Sequence, residues 1–328
     1  MSLMRAVVHT GSGGAEVLSL REVDAPVPGP EQIRVRVKAA GLNRADILQR
    51  RGRYPAPPGW PADIPGLEYA GEVDLLGPGA RRWRPRDRVM GLVGGGAHAE
   101  YVVVHQDEAI AIPSGLSFAQ GAAIPEAFLT AWDALVTRGR LAQGERVLIH
   151  AVGSGVGTAA VQLAKRLGAV TVGTSRTQVK LDQARALGLD EAINTGSGGF
   201  AERLSAPVDV ILDVLGGPAF GENLAALAPR GRLVLLGFLQ GPKAEVNLDA
   251  ILRKRLEVVG TVMRTRQLAE RVPLVSEFSA RVAPWFTGGG ASAMQAIVGA
   301  TYPMERIAEA HAAMEQDENF GKLVLTWS

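Results

Sequence analysis

Six short apolar runs, at 146–150, 170–174, 191–194, 208–213, 232–236 and 257–262, are separated by amphipathic stretches such as 156–167 and 179–187. Parallel strands can be joined only by a crossover, so this alternation predicts an α/β fold with a doubly wound parallel sheet and right-handed connections. The chain has 328 residues, enough for two domains at roughly 100–200 residues each. Roughly the first 115 residues follow a different rhythm, short strands broken by GPG, PGP and GGG turns. Residues 32–39 alternate strictly, with Ile33, Val35, Val37 and Ala39 on one face and Gln32, Arg34, Arg36 and Lys38 on the other. That is a half-buried strand. Further strands are expected at 5–9, 69–76, 87–92 and 100–105, giving a partly antiparallel, mainly β domain. In the tail, 266–279 and 304–315 read as helices, and 322–327 as a strand able to return to the first domain.

Composition removes several chemistries. With no cysteine there is no disulfide, iron–sulfur cluster, catalytic thiol or thiolate zinc site. Thirty-five basic against 33 acidic residues leave a net charge of +2, which gives nucleic-acid binding little support. Two basic stretches, Arg50, Arg51 and Arg53, and Arg81, Arg82, Arg84 and Arg86, are broken by Gly, Trp or Pro and read as solvated loops. No run approaches the ~18 apolar residues of a membrane span, and the first ten residues lack a signal-peptide core. A cytoplasmic protein is expected.

Directly after the run RVLIH stands AVGSGVG (151–157), followed by the helical pattern TAAVQLAKRLG. Glycines at a strand-to-helix turn let the backbone approach a pyrophosphate, while the helix N-terminus supplies free N–H groups and a positive dipole. The spacing departs from G-x-G-x-x-G, reading Ala151-x-x-Ser154-x-x-Gly157, but the loop opens the first unit of a six-strand pattern. Ser154, Gly155, Val156 and Gly157 are thus candidates for holding a dinucleotide; a tight turn without ligand is the plainer alternative. About 20 residues on, where an NAD site usually carries an acid, the chain reads GTSRTQVK (173–180). Ser175, Arg176, Thr177 and Lys180 offer hydroxyls and two cations suited to the 2′-phosphate of NADPH, and Thr174 is a further cofactor-binding candidate. The alternative is that Arg176 and Lys180 only cover a solvated helix start. Leu215 in DVLGG (213–217), and Gly237, Phe238 and Leu239 in GFLQ (237–240), follow later strands, where open α/β sheets bind ligand.

Five runs together carry a resemblance: NRADILQRRGRYPAPPG (43–59), GLEYAG (66–71), AAIPEAFLTAW (122–132), VLIHAVGSGVGTAAVQLAK (147–165) and NFGKLVL (319–325). The chain resembles the quinone oxidoreductases of the medium-chain dehydrogenase/reductase superfamily, most of all the p53-inducible quinone oxidoreductase branch, which also carries Ser in the glycine loop. The resemblance implies a GroES-like catalytic domain (1–125), a Rossmann NADPH-binding domain (126–264) and a C-terminal segment (265–328) returning to the first. It also implies a cleft for NADPH and a homodimer formed through the last Rossmann strand at 257–262.

Zinc-dependent relatives carry Gly-His-Glu and an upstream cysteine, whereas this chain has Gly66-Leu67-Glu68 and no cysteine. The five histidines share no metal-ligand spacing. Glu68 is then expected to structure the cleft, and no metal is expected. Without a Lewis acid the acceptor must itself be electron-poor, as a quinone or an enone is, and the protein's part is to align it with the nicotinamide and exclude water. By position in the matched motifs, Asn43 and Tyr54 orient the acceptor, and Tyr54 is a candidate proton donor, a poor one at an ordinary phenol pKa near ~10. Tyr54 as a lid that only packs is the alternative. Thr130 matches a residue contacting the nicotinamide carboxamide, against the alternative of helix capping. Leu215 is expected over the adenine side, and Phe238 and Leu239 beside the nicotinamide. Asn319 and Lys322 return near the cleft, and Arg264 and Arg266 would meet phosphate or solvent. Asn194-Thr195 stands where the branch tends to carry a tyrosine, which bears on adenine-side affinity.

The expected activity is NADPH-dependent quinone reduction. Enone or alkenal reduction on the same scaffold is the near alternative, and an RNA-binding or crystallin-like structural role the distant one.

Overall fold

The computed structural model describes residues 2–287 and 293–327. The chain divides into two compact units, Met1–Leu129 with Met263–Ser328, and Thr130–Val262. The first opens with strands β1 (Leu3–His9) and β2 (Leu18–Asp24), an antiparallel pair of their own. Next come β3 (Gln32–Leu42), helix α1 (Arg44–Arg50), β4 (Glu68–Leu76), β5 (Arg88–Leu92), β6 (Tyr101–His105), β7 (Ile110–Ala111) and helix α2 (Phe118–Ala122). Helix α3 (Pro125–Trp132) leads into the second unit.

That unit comprises β8 (Arg146–Ile149), α4 (Gly155–Arg166), β9 (Val170–Ser175), α5 (Gln178–Arg185), β10 (Glu191–Asn194), β11 (Val208–Asp213), α6 (Ala219–Ala226), β12 (Leu227–Leu235), α7 (Leu248–Lys254) and β13 (Glu257–Gly260). Its six strands run in the order β10-β9-β8-β11-β12-β13, all parallel. The strand order therefore reverses between β8 and β11, which creates a switch point beyond their carboxyl ends. Leu148, Val172, Ile211, Leu224 and Leu233 form the core of this unit.

The chain then returns to the first unit through α8 (Leu268–Arg281), β14 (Val298–Pro303), α9 (Ile307–Glu315) and β15 (Lys322–Thr326). β15 pairs antiparallel with the second half of β3, at residues 39–42, while β6 covers the first half, at 32–36. This explains why the alternation of buried and less buried residues along β3 ends at Ala39 and everything from there to Leu42 is buried.

The expected strands are present with their ends shifted by a residue or a few. The expected tail helix at 304–315 splits into a 3₁₀ turn, Met304–Arg306, and α9. One reading is overturned outright, that of Arg50 as solvated loop. Arg50 is 1% exposed in the last turn of α1, where it donates to Glu315 Oε1 at 2.5 Å and approaches His311 Nδ1 at 3.3 Å. Glu315 and His311 belong to α9, so the burial depends on a partner far off in sequence.

Three of the five histidines are buried. His150 of the β8 end donates from Nε2 to Asn223 Oδ1 at 2.7 Å and accepts from the Thr174 hydroxyl at 2.8 Å, with burial depressing its basicity. For His311, burial first and then the nearby His98 and Arg50 lower the pKa from 6.5 to about 3. The unfolded chain thus binds this proton near pH 6.5 and the folded chain only near 3. The stability held by neutral His311 is full above about 6.5 and is lost as pH falls toward 3. Thermal melts taken between those limits should show a smaller acid-induced drop in Tm for His311→Gln than for the wild type; equal drops would refute the linkage.

Candidate active site

In the first unit the polar residues converge on Glu68, the first residue of β4, which is fully buried. Oε1 forms an ion pair with Lys322 Nζ at 2.5 Å and accepts from Asn43 Nδ2 at 3.0 Å, and Oε2 accepts from the Glu126 backbone N–H at 2.8 Å. The Lys322 ammonium also donates to Leu42 O at 3.0 Å and Asn43 Oδ1 at 2.5 Å. Gly41 makes room for this. A Cβ there would lie 2.1 Å from Glu68 Oε1 and 2.7 Å from the Ala122 carbonyl. Asn43 precedes α1, and its N–H is held by Asp46 Oδ2 at 2.8 Å. Its amide, expected to orient an acceptor, is committed to Glu68 and Lys322.

Tyr54 is half-buried and its hydroxyl makes no hydrogen bond among the described residues. Its carbonyl accepts from Arg264 Nη1 at 2.8 Å, and the guanidinium lies 4.9 Å over its ring. Burial, and secondarily the charge of Glu126, raise the phenol pKa above its ordinary value, which weakens Tyr54 as an acid. Arg264 is largely shielded from solvent. It is 7% exposed and also donates to Gly94 O at 2.8 Å and Gln49 Oε1 at 2.5 Å. Asn319 donates to Gly321 O at 2.7 Å and, among the described residues, takes no part in the Glu68 cluster.

A cavity of about 20 Å³, room for one water, is lined by Glu126, Arg264, Arg271, Leu67, Leu92 and Met263. Glu126 escaped the sequence reading. The signal was there, a single acid inside the apolar run AAIPEAFLTAW. It stands in the first turn of α3, where the helix field favours the anion. Burial and the neighbouring Glu68 charge outweigh that field and raise its pKa to about 7.

In the second unit the expected cofactor residues gather at the carboxyl ends of the parallel strands. Ser154 caps α4 and its hydroxyl accepts from Gly157 N at 3.0 Å. The N–H groups of Gly155 and Val156, in the first turn, have no carbonyl within the helix to meet. At Gly157 a Cβ would lie 2.4 Å from Ala151 O and 2.7 Å from Val152 Cα, so only glycine lets α4 start so close to β8. The Lys180 stem lies against Gly153, bringing its cation to the loop. Ser175 ends β9 with its Oγ accepting from Thr177 N at 3.3 Å, and Arg176 follows, exposed. Thr174 is turned inward, its hydroxyl held by His150. The turns after β11 and β12 are tied by Leu239 N to Val214 O at 3.0 Å and Gln240 N to Leu215 O at 2.8 Å. This sets Leu215, Gly237, Phe238 and Leu239 together, with Phe238 and Leu239 each 52% exposed. Thr130 lies inside α3, not at its start, and its buried hydroxyl has no partner among the described residues, which excludes capping. A helix-capped glycine loop at a switch point and an unengaged hydroxyl fit a dinucleotide.

Such a parallel sheet, in one chain with a mainly β unit to which the C-terminal segment returns, defines a nucleotide-dependent oxidoreductase of the GroES-like and Rossmann type. Family comparison agrees: residues 29–114 match the alcohol dehydrogenase GroES-like domain and residues 155–280 the family described as zinc-binding dehydrogenase. A quinone oxidoreductase of Pseudomonas aeruginosa is 38% identical over 258 residues, 77% of this chain and 79% of that protein. The human quinone oxidoreductase is 30% identical over 94% of this chain and 93% of its own length. A pikromycin polyketide synthase component of Streptomyces venezuelae is 36% identical over 96% of this chain, which spans only 8% of that synthase. Among solved structures, one titled an NAD-dependent alcohol dehydrogenase superposes with a TM-score of 0.84 at 31% identity, over 99% of this chain and all of that one. The CurK enoyl reductase gives 0.85 at 26% identity, over 100% of both chains. The chain belongs to the medium-chain dehydrogenase/reductase superfamily, with quinone oxidoreductases among its homologues. Oxidoreductases of this family use a nicotinamide dinucleotide. Among the described residues no helix is long and apolar enough to cross a membrane, and no group of His, Cys, Asp and Glu is arranged to hold a metal.

Removing the cation from a buried pair leaves an uncompensated charge, which costs about 3–5 kcal/mol. Lys322→Met should therefore lose stability on that scale in urea unfolding. Adding Glu68→Gln should recover a substantial part, and a double variant no more stable than the single one would contradict the pairing.

Proposed function

We propose that the protein reduces quinones with NADPH by hydride transfer and without a metal ion, as a member of the p53-inducible quinone oxidoreductase branch. The observation that carries this reading is the Lys322 ammonium on Glu68. The chain supplies its own cation to the carboxylate of the Gly66-Leu67-Glu68 segment, with that cation also donating to Leu42 O and Asn43 Oδ1. Bound at the glycine loop, the reduced nicotinamide supplies a hydride. Ser154 to Gly157 cradle the pyrophosphate, and Ser175, Arg176 and Lys180 receive the 2′-phosphate, a role supported by the absence of any acid in 173–180. The Thr130 hydroxyl takes the carboxamide, and Phe238 and Leu239 exclude water from the ring. Asn43, fixed by Glu68 and Lys322, positions the Tyr54 loop side of the pocket, where the Tyr54 hydroxyl binds the acceptor oxygen.

Enone double-bond reduction is the second reading. The likeness to the CurK enoyl reductase and to a polyketide synthase component favours it. A homodimer through β13 accompanies either reading. β13 has β12 as its one strand neighbour, and Val258 and Val262 are 38% and 44% exposed along this edge, which a second copy would cover.

Steady-state oxidation of NADPH and NADH, after chelator treatment, against para-quinones, ortho-quinones and enones tests the reading. NADPH should be preferred, quinones should turn over fastest, and chelation should change nothing. Lys180→Met should raise KM for NADPH about tenfold, the effect of losing one charge-assisted contact, and leave KM for NADH unchanged. Preference for NADH, or activity lost with the chelator, would refute it.

A further inference from the structure

Reduction by hydride leaves the acceptor with a negative oxygen, and the protonation of that oxygen has no assigned donor. Tyr54 is unsuited, being a weaker acid here than in water. We propose, building on the reduction described above, that Glu126 is the general acid, giving its proton to the acceptor oxygen as charge develops there.

Three features of the first unit support this. The Glu126 backbone is pinned through its N–H to Glu68 Oε2 at 2.8 Å, whereas its carboxyl group has no hydrogen-bond or ion-pair partner among the described residues. Glu126 lines the small cavity beside Arg264 and Arg271, and the rest of the wall, which includes Leu67, Leu92, Val93 and Met263, is mostly apolar. Arg264 links the cavity to the Tyr54 loop, through the Tyr54 carbonyl and ring.

Charged and titratable groups face Glu126 from every side. Glu68 of β4 and Asp46 of α1 favour its protonated form, as does burial, the largest influence. Lys322 of β15 and Arg264, which follows β13, favour the anion. Arg271 of α8 lines the same cavity, with its guanidinium held by Glu108. The balance puts the Glu126 pKa at about 7, near the operating range a general acid needs.

Hydride carries two electrons and one hydrogen to the acceptor. The resulting hydroquinone monoanion, or enolate, then takes the proton as the Glu126 O–H bond breaks and a new O–H bond forms on the acceptor. The carboxylate regains its proton from solvent, through the one-water cavity. With the carboxyl ionised there is no proton to give, and a second negative charge opposes the one developing on the acceptor.

The test is kcat for NADPH oxidation from about pH 5.5 to about 9 for the wild type, Glu126→Gln and Glu126→Asp, with KM for NADPH followed in parallel. In the wild type kcat should fall toward tenfold per unit as pH rises above about 7. Glu126→Gln should be slower by about 10²-fold, flat across this range and unchanged in KM for NADPH. Glu126→Asp should restore the slope with part of the rate. A Glu126→Gln enzyme that keeps the wild-type rate or pH profile overturns the acid role alone. A wild type that oxidises NADPH with no quinone or enone overturns the proposed function, and the acid role with it.

Discussion

A lysine and a glutamate that have both left water meet at 2.5 Å in the GroES-like unit, and much of that unit is arranged to make the meeting tolerable. Each ion costs several kcal/mol to desolvate, and the pair repays this only if the remaining donors and acceptors are also satisfied. Here they are: Lys322 reaches Leu42 O and Asn43 Oδ1, and Glu68 reaches Asn43 Nδ2 and Glu126 N. These partners come from the end of β3, the start of α1, the start of β4, the start of α3 and the start of β15. The network therefore ties the last strand of the chain to strands formed within the first 76 residues. β15 is thereby held in register against β3 by more than its ladder.

The same arrangement separates two carboxyl groups that share a neighbourhood. Glu68 has a cation and an amide against it, whereas the half-buried Glu126 has no partner on its carboxyl group among the described residues and the Glu68 charge nearby. Two acids in unequal surroundings are the usual means by which one becomes a structural anion and the other a proton store near neutrality. Tyr54 is pushed the opposite way from usefulness as an acid, partly by Glu126 itself. Its free hydroxyl is better suited to accepting or donating a hydrogen bond than to losing a proton.

The legible parts of the fold were those with strong local periodicity. β3 showed its buried face through strict alternation, and the parallel strands stood out because burial on both faces demands continuous apolar runs. β2 was missed, and it has no fully buried residue to mark it. β14 was missed for the same reason. Arg50 looked like solvated surface because its partner Glu315 lies 265 positions away, a distance over which composition says nothing about contact. The glycine loop was legible because glycine there answers a steric need: a Cβ at position 157 would lie 2.4 Å from the Ala151 carbonyl oxygen. Glu126 was not, since what distinguishes it is the burial and charge around it.

By itself the sequence determined the α/β class, the phosphate-loop position and the absence of thiol chemistry, because apolar period, glycine and cysteine content act locally or by simple count. Tertiary structure alone decided that Asn43, Glu68 and Lys322 form one network, that Thr130 holds a buried hydroxyl with no partner among the described residues, and that the Glu126 pKa is raised to about 7. Those properties arise from which groups share a desolvated space, and burial and Coulomb interaction depend on distance through the fold, not along the chain.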